Sequence, residues 1–155
     1  MSVVILYGTE TGTSELVADA IADVLPADHD PSVYDMSEFA VEDLSADDFL
    51  IVVCATYGEG ELPTGAAPFA EELDSVEPDL DGLRFAVFGL GDTVYDDTFN
   101  RGGEIIAEML TKRGAVQVGE HGRHDGSSSI KPTAQAEEWA GTVVAVIEAE
   151  QVAAG

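Results

Sequence analysis

Apolar residues in this chain form two alternating patterns, short continuous runs and longer segments with helical spacing. Continuous runs are typical of strands that are buried on both faces of a parallel sheet. They predict five strands, at residues 3–7, 32–36, 49–55, 84–90 and 116–118. The helical spacing indicates helices with one buried face, at residues 16–25, 69–76, 105–110 and 136–147. A polar loop is expected at residues 119–131.

The order of these segments predicts an α/β fold, with a single domain over residues 1–155. Strands that alternate with helices form a parallel sheet covered by helices on both faces. We expect a doubly wound, five-stranded sheet with the strand order 2-1-3-4-5, in three layers (α/β/α). Ligands bind such sheets at the carboxyl ends of the strands, near the switch between strands 1 and 3. The loops after Tyr7, Ala55 and Leu90 therefore form the candidate site.

The net charge of −25 changes the choice of partners. Residues 1–83 contain 20 Asp and Glu and no Lys or Arg, so nucleic acids and anionic membranes are excluded as partners at ordinary salt. Glu15, Asp19 and Asp23 lie four residues apart on one helix face, where their repulsion is screened at about 1 M salt. This pattern predicts adaptation to a salt-loaded cytoplasm. An acidic docking face for a basic partner is the alternative, and the two can coexist.

Composition predicts a soluble, cytoplasmic protein. Hydrophobic residues make up 45% of the chain, yet no apolar stretch approaches the ~20 residues that cross a membrane. The first basic residue is Arg84, so a basic-headed export signal is not expected. The single cysteine, Cys54, excludes an internal disulfide framework. Its position in an apolar strand predicts a buried, unreactive thiol.

The remaining polar and aromatic candidates are interpreted as structural. Trp139 falls on the apolar stripe of the last predicted helix and is expected in the core. His29, His121 and His124 have no metal-ligand spacing and are expected at the surface. No metal site is predicted.

The first candidate loop, residues 8–14, joins a buried strand to a helix and contains four hydroxyl side chains. Backbone amides at a helix N-terminus form a ready anion site. Because the loop has no Lys or Arg, its neutral donors suit one terminal phosphate monoester better than a triphosphate with magnesium. An ordinary capped turn is the alternative.

The second and third loops each place a tyrosine after a strand. Tyr57 stands beside Gly58 and Gly60, and Tyr95 follows Leu90 by five residues. Two tyrosines from adjacent loops can sandwich a planar tricyclic ring, although either one alone would be an ordinary loop aromatic.

Together the three loops resemble the flavodoxin superfamily, most closely the FMN domains of diflavin reductases and the small stand-alone MioC-type flavodoxins. The resemblance covers nearly the whole chain and implies a flavodoxin-like fold with noncovalent FMN. The residues implied to hold the phosphate are Thr9, Glu10 (through its backbone), Thr11, Gly12, Thr13 and Ser14. Those implied on one side of the flavin ring are Ala55, Thr56, Tyr57, Gly58 and Gly60. Those implied on the other side are Leu90, Gly91, Asp92, Tyr95, Phe99 and Asn100, with Asp125 at the flavin edge.

Two departures from the family pattern affect the ring site. Asp92 stands where diflavin FMN domains usually have Asn, and the stretch 95–100 is one residue longer than usual.

The expected function is that of an electron carrier rather than a stand-alone enzyme. One FMN would pass single electrons from a reductase to unknown acceptor enzymes, which dock near the flavin edge of a monomer. The alternatives are an FMN-dependent NAD(P)H quinone or nitro reductase and a flavin-free interaction module. A phosphoacceptor receiver would need an Asp at the end of strand 3 and a Lys at the end of strand 5, and the sequence has neither.

Overall fold

A computed structural model describes residues 3–8, 13–26, 29–45, 47–55, 66–91, 101–118, 122–125 and 131–154. The strands are β1 (Val3–Gly8), β2 (Ser32–Asp35), β3 (Phe49–Ala55), β4 (Arg84–Gly91), β5 (Val116–Gln117) and β6 (Gly122–Asp125). The helices are α1 (Thr13–Val24), α2 (Ala67–Val76), α3 (Arg101–Lys112) and α4 (Pro132–Ala154). Among the described residues, no helix is long and apolar enough to cross a membrane.

The sheet has the predicted topology. All described strands are parallel, in the order β2-β1-β3-β4-β5. The fifth position is shared, because β5 pairs with the start of β4 and β6 pairs with its end, over Phe88–Gly91.

β6 corrects one prediction, since residues 119–131 were expected to be a loop. β4 is eight residues long, while β5 pairs with only its first two, Arg84 and Phe85. The backbone groups at the other end of β4 need partners of their own. Residues 122–125 supply them, although their sequence does not resemble a strand.

Two cores lie on the two faces of the sheet, and alternate residues of β3 enter each of them. Val52 and Cys54 pack with α2 and α3, whereas Ile51 and Val53 pack with α1 and α4. The predicted burial of Cys54 is confirmed, and burial raises the pKa of its thiol to about 12.

The last helix confirms the interpretation of Trp139 as a core residue. Its ring centroid lies 5.3 Å from that of Phe88, at an interplanar angle of 55°. Gly122 makes this packing possible, because a Cβ there would lie 2.4 Å from Cδ2 of Phe88 and 2.8 Å from Nε1 of Trp139.

Two surface predictions are wrong. His29 and His124 are buried, with exposures of 3% and 6%. His124 belongs to β6, opposite Leu90, so its burial follows from the strand that the sequence did not reveal. His121 lies outside the described residues. Conversely, Leu16 on the predicted apolar stripe of α1 is 63% exposed, because α1 packs through Val17 and its neighbours on that side.

Candidate functional site

The three predicted loops leave the sheet at one edge. Gly8, Ala55 and Gly91 end β1, β3 and β4, and Asp125 ends β6. The register places Gly8 opposite Cys54, Ala55 opposite Leu90, and Gly91 opposite Asp125. The strand order therefore brings together four chain ends that are far apart in the sequence.

The connections that follow β1 and β3 leave this edge of the sheet towards opposite faces. The chain leaves β1 for α1, which packs on one face, and leaves β3 for α2, which packs on the other. Open α/β sheets bind ligands in a crevice where connections diverge in this way, at the carboxyl ends of the strands, so this edge is the candidate crevice.

Ser14 places a buried polar group at this edge of the sheet. Ser14 is the second residue of α1 and is fully buried. Its Oγ has no hydrogen-bond partner in the described part of the chain. Leaving a buried hydroxyl unsatisfied costs ~1–3 kcal/mol, which an anion at this helix N-terminus would offset. The predicted phosphate position therefore fits the phosphate of FMN.

The electrostatic field beside the crevice is negative. Burial, and then the carboxylates of Glu15, Asp35, Asp19 and Glu38, raise the pKa of the Tyr7 hydroxyl above its ordinary value. Tyr7 directly precedes Gly8, where the phosphate loop begins. A phosphate dianion here would be held by hydrogen bonds and the helix dipole against this field, consistent with a loop that contains no basic residue.

The described residues cover part of the predicted site. Ser14 and Leu90 are both buried at this edge. Four more have backbone positions at the edge, without a description of their side chains: Thr13, Ala55, Gly91 and Asp125. The others lie outside the described residues and stay predictions: Thr9, Glu10, Thr11, Gly12, Thr56, Tyr57, Gly58, Gly60, Asp92, Tyr95, Phe99 and Asn100.

Sequence reasoning did not select Ala66 and Met36, which pack around Gly8 at the start of the phosphate loop. A Cβ on Gly8 would lie 2.7 Å from Cβ of Ala66 and 2.9 Å from Sδ of Met36. Neither residue carries reactive chemistry, and each is distant from Gly8 in the sequence. No pattern in the sequence indicates the contact.

Comparison with known proteins agrees with this geometry. The family model for flavodoxin matches residues 5–139. Human NADPH–cytochrome P450 reductase is 33% identical over 141 residues, which cover 84% of this chain and 20% of the reductase. The chain thus spans about a fifth of the length of this reductase and of its rat and mouse counterparts.

Solved flavodoxin structures match over nearly their whole length. A cysteine-to-alanine mutant of flavodoxin from Pseudomonas aeruginosa has a TM-score of 0.84 and 33% identity, with 96% of this chain and 99% of that chain covered. Streptococcus pneumoniae TIGR4 flavodoxin has a TM-score of 0.78 and 29% identity, with 94% and 99% covered. Together with the sheet order and the buried hydroxyl at the start of α1, these similarities establish that the chain belongs to the flavodoxin family and forms an FMN-binding domain.

Proposed function

We propose that this protein carries single electrons on FMN, from a reductase to acceptor enzymes, in a salt-rich cytoplasm. The buried Ser14 Oγ at the carboxyl edge of the sheet, which has no partner among the described residues, is the observation that carries the proposal, since it supports a phosphate-bearing ligand at this edge. FMN supplies the redox chemistry when bound, and the protein supplies binding, orientation and electrostatics.

The similarities support electron transfer as the role of that flavin. Flavodoxin-like domains relay electrons to redox partners, and the human relative is named as an NADPH–cytochrome P450 reductase. This chain matches a fifth of that protein. We infer that this FMN-binding domain performs the relay, with a reductase as the source of the electrons.

The acidic surroundings of Tyr7 bear on the direction of transfer. Carboxylates from α1, β2 and the segment after β2 all raise the pKa of this hydroxyl. Negative potential at the crevice disfavours further negative charge on a bound ligand. The protein would therefore hold FMN as a strong electron donor, and its acidic surface favours basic partners that dock on a monomer near the flavin edge.

The test is to assay the FMN-loaded protein with and without a separate reductase. NADPH alone, with the quinone menadione as acceptor, should be oxidised no faster than by free FMN. Adding ferredoxin–NADP⁺ reductase and oxidised cytochrome c should give cytochrome c reduction at a rate that rises with the concentration of this protein.

A flavin-free preparation in the same mixture is the control, and it should add nothing to the rate. Rapid menadione reduction by NADPH without the added reductase would contradict the carrier and identify a quinone reductase. Equal rates with and without FMN would indicate an interaction module.

A further inference from the structure

The last residue of β1, Gly8, packs against Ala66, the residue before α2. The phosphate loop leaves β1 directly after it. Across the crevice, Ala66 follows the loop of residues 56–65 and precedes the first residue of α2. A Cβ on Gly8 would lie 2.7 Å from Cβ and 3.3 Å from Cα of Ala66. The backbones at these two loop ends are therefore as close as a glycine allows.

The close approach is a matter of space and not of backbone conformation. Gly8 lies within a regular strand, paired with Cys54 on β3, and outside the positive-φ region that favours glycine. An alanine at this position would adopt the same backbone without strain. Its whole effect would come from the atoms that its methyl group meets.

The α2 side of the contact has little freedom to retreat. Ala66 is fully buried, and Phe69 and Leu73 on α2 are each 1% exposed in the core behind it. The carboxylate of Glu72, also on α2, accepts a hydrogen bond of 3.0 Å from the backbone N–H of Val41. A methyl group on Gly8 would therefore displace the loop end at Ala66 before it displaced the helix.

We propose that Gly8 is a positioning residue for FMN, whose missing side chain sets the spacing between the last residue of β1 and Ala66, the residue before α2. The loops that follow Gly8 and precede Ala66 are the ones predicted to contact FMN, so its affinity should depend on this spacing. The inference rests on FMN as the cofactor and is independent of the partner to which electrons pass.

The experiment is a double-mutant cycle with FMN affinity as its readout. The affinity is measured from the quenching of FMN fluorescence as folded apoprotein is added. G8A should weaken FMN binding by about tenfold or more, the range expected of an overpacked contact. A66G removes the facing methyl group and should change affinity less than about threefold. The double variant should recover part of the lost affinity, because the facing methyl group is gone while Sδ of Met36, 2.9 Å from the added Cβ, remains.

The control is G114A, a crowded glycine at the opposite edge of the sheet. Gly114 has φ +106, and a Cβ there would lie 3.1 Å from the backbone N of Asp81. This variant should lose stability and keep the FMN affinity of the parent. If G114A weakens FMN binding as much as G8A, the effect is general destabilisation and the proposal is wrong.

Two other outcomes would overturn the proposal. One is G8A binding FMN as tightly as the parent, and the other is a double variant no better than G8A. If G8A does not fold, A66S replaces it, because the serine hydroxyl adds an atom to the same contact from the α2 side. A66S should weaken FMN binding, and an unchanged FMN affinity would contradict the proposal. A parent that binds no FMN would instead overturn the cofactor itself, so the two failures are distinguishable.

Discussion

Replacing Ser14 with Ala should move stability and FMN affinity in opposite directions. In the apoprotein the buried Ser14 Oγ has no hydrogen-bond partner among the described residues. Burying a hydroxyl without a partner costs ~1–3 kcal/mol, and Ala is also the better helix former by a few tenths of a kcal/mol. Ser14→Ala apoprotein should therefore be more stable than the parent by about 1 kcal/mol, after allowance for relaxation around the site.

The same substitution removes a hydroxyl that would donate a hydrogen bond to the phosphate of FMN. Hydrogen bonds to charged groups contribute ~1.5–3 kcal/mol, which corresponds to a loss of FMN affinity of about tenfold to a hundredfold. Riboflavin has the ring but no phosphate, so its affinity should stay within about twofold. The ratio of the two dissociation constants isolates the phosphate contact from any change in the ring site.

The assay combines urea unfolding of the apoprotein with fluorescence titrations of FMN and riboflavin. Ser75→Ala is the matched control, since Ser75 is exposed near the end of α2 and donates a hydrogen bond of 3.4 Å to the backbone oxygen of Glu72. It should leave both flavin affinities unchanged. A Ser14→Ala protein that is less stable and binds FMN as tightly as the parent would refute the reasoning, because the hydroxyl would then serve the fold and not the phosphate.

Three further perturbations test the fold and its charge. When the pH is raised from 8 to 10, the unfolding free energy of the parent should fall by about 1.4 kcal/mol more than that of the Cys54→Ala variant. The stability from the neutral thiol is complete below the unfolded pKa of 9.0 and is lost as the pH rises towards the folded value of about 12; parallel urea curves for the two proteins would argue against a buried thiol. Gly122→Ala should destabilise the protein by ~1–3 kcal/mol and shift the fluorescence of Trp139. Gly141→Ala is the control, because no described atom lies within 4 Å of the added Cβ, and it should stabilise the protein slightly. Equal effects of the two substitutions on stability would contradict the packing around β6. Raising KCl from 0.1 to 1 M shortens the Debye length from ~10 to ~3 Å, so the melting temperature and FMN affinity should rise together, with sucrose as a nonionic control; affinity that falls while the melting temperature stays flat would indicate a positive site.

The parts of the fold that the sequence predicted are those in which local pattern and tertiary structure agree. Residues 49–55 are apolar throughout, and the strand they form is buried on both faces from Phe49 to Cys54. The stripe that includes Trp139 has helical spacing and packs on the sheet. In both cases the side chains that determine the pattern are the ones that the core requires.

The errors arise where a distant part of the chain decides the outcome. Residues 122–125 contain Gly, Arg, His and Asp and form a strand because β4 offers unpaired backbone groups, so tertiary context overrides propensity. The burial of His124 follows from that strand. Leu16 shows the opposite case, an apolar residue at helical spacing that the neighbouring elements leave exposed.

The candidate site shows the same division. A hydroxyl at residue 14, in a loop without basic residues, predicts a phosphate position, and the buried Ser14 Oγ agrees with it. The contact between Gly8 and Ala66 joins residues 58 positions apart in the sequence, and it is possible because Gly8 has no Cβ. Such a contact has no local pattern and becomes visible only in three dimensions.

An anaerobic redox titration of the FMN-loaded protein, followed by its absorption spectrum, tests the carrier most directly. A protein that holds FMN in a negative field and passes electrons singly should show two separated one-electron steps, the second well below the corresponding potential of free FMN. Each ~59 mV of that lowering corresponds to a tenfold change in the equilibrium constant of a one-electron step. A single two-electron wave at the potential of free FMN would contradict the account.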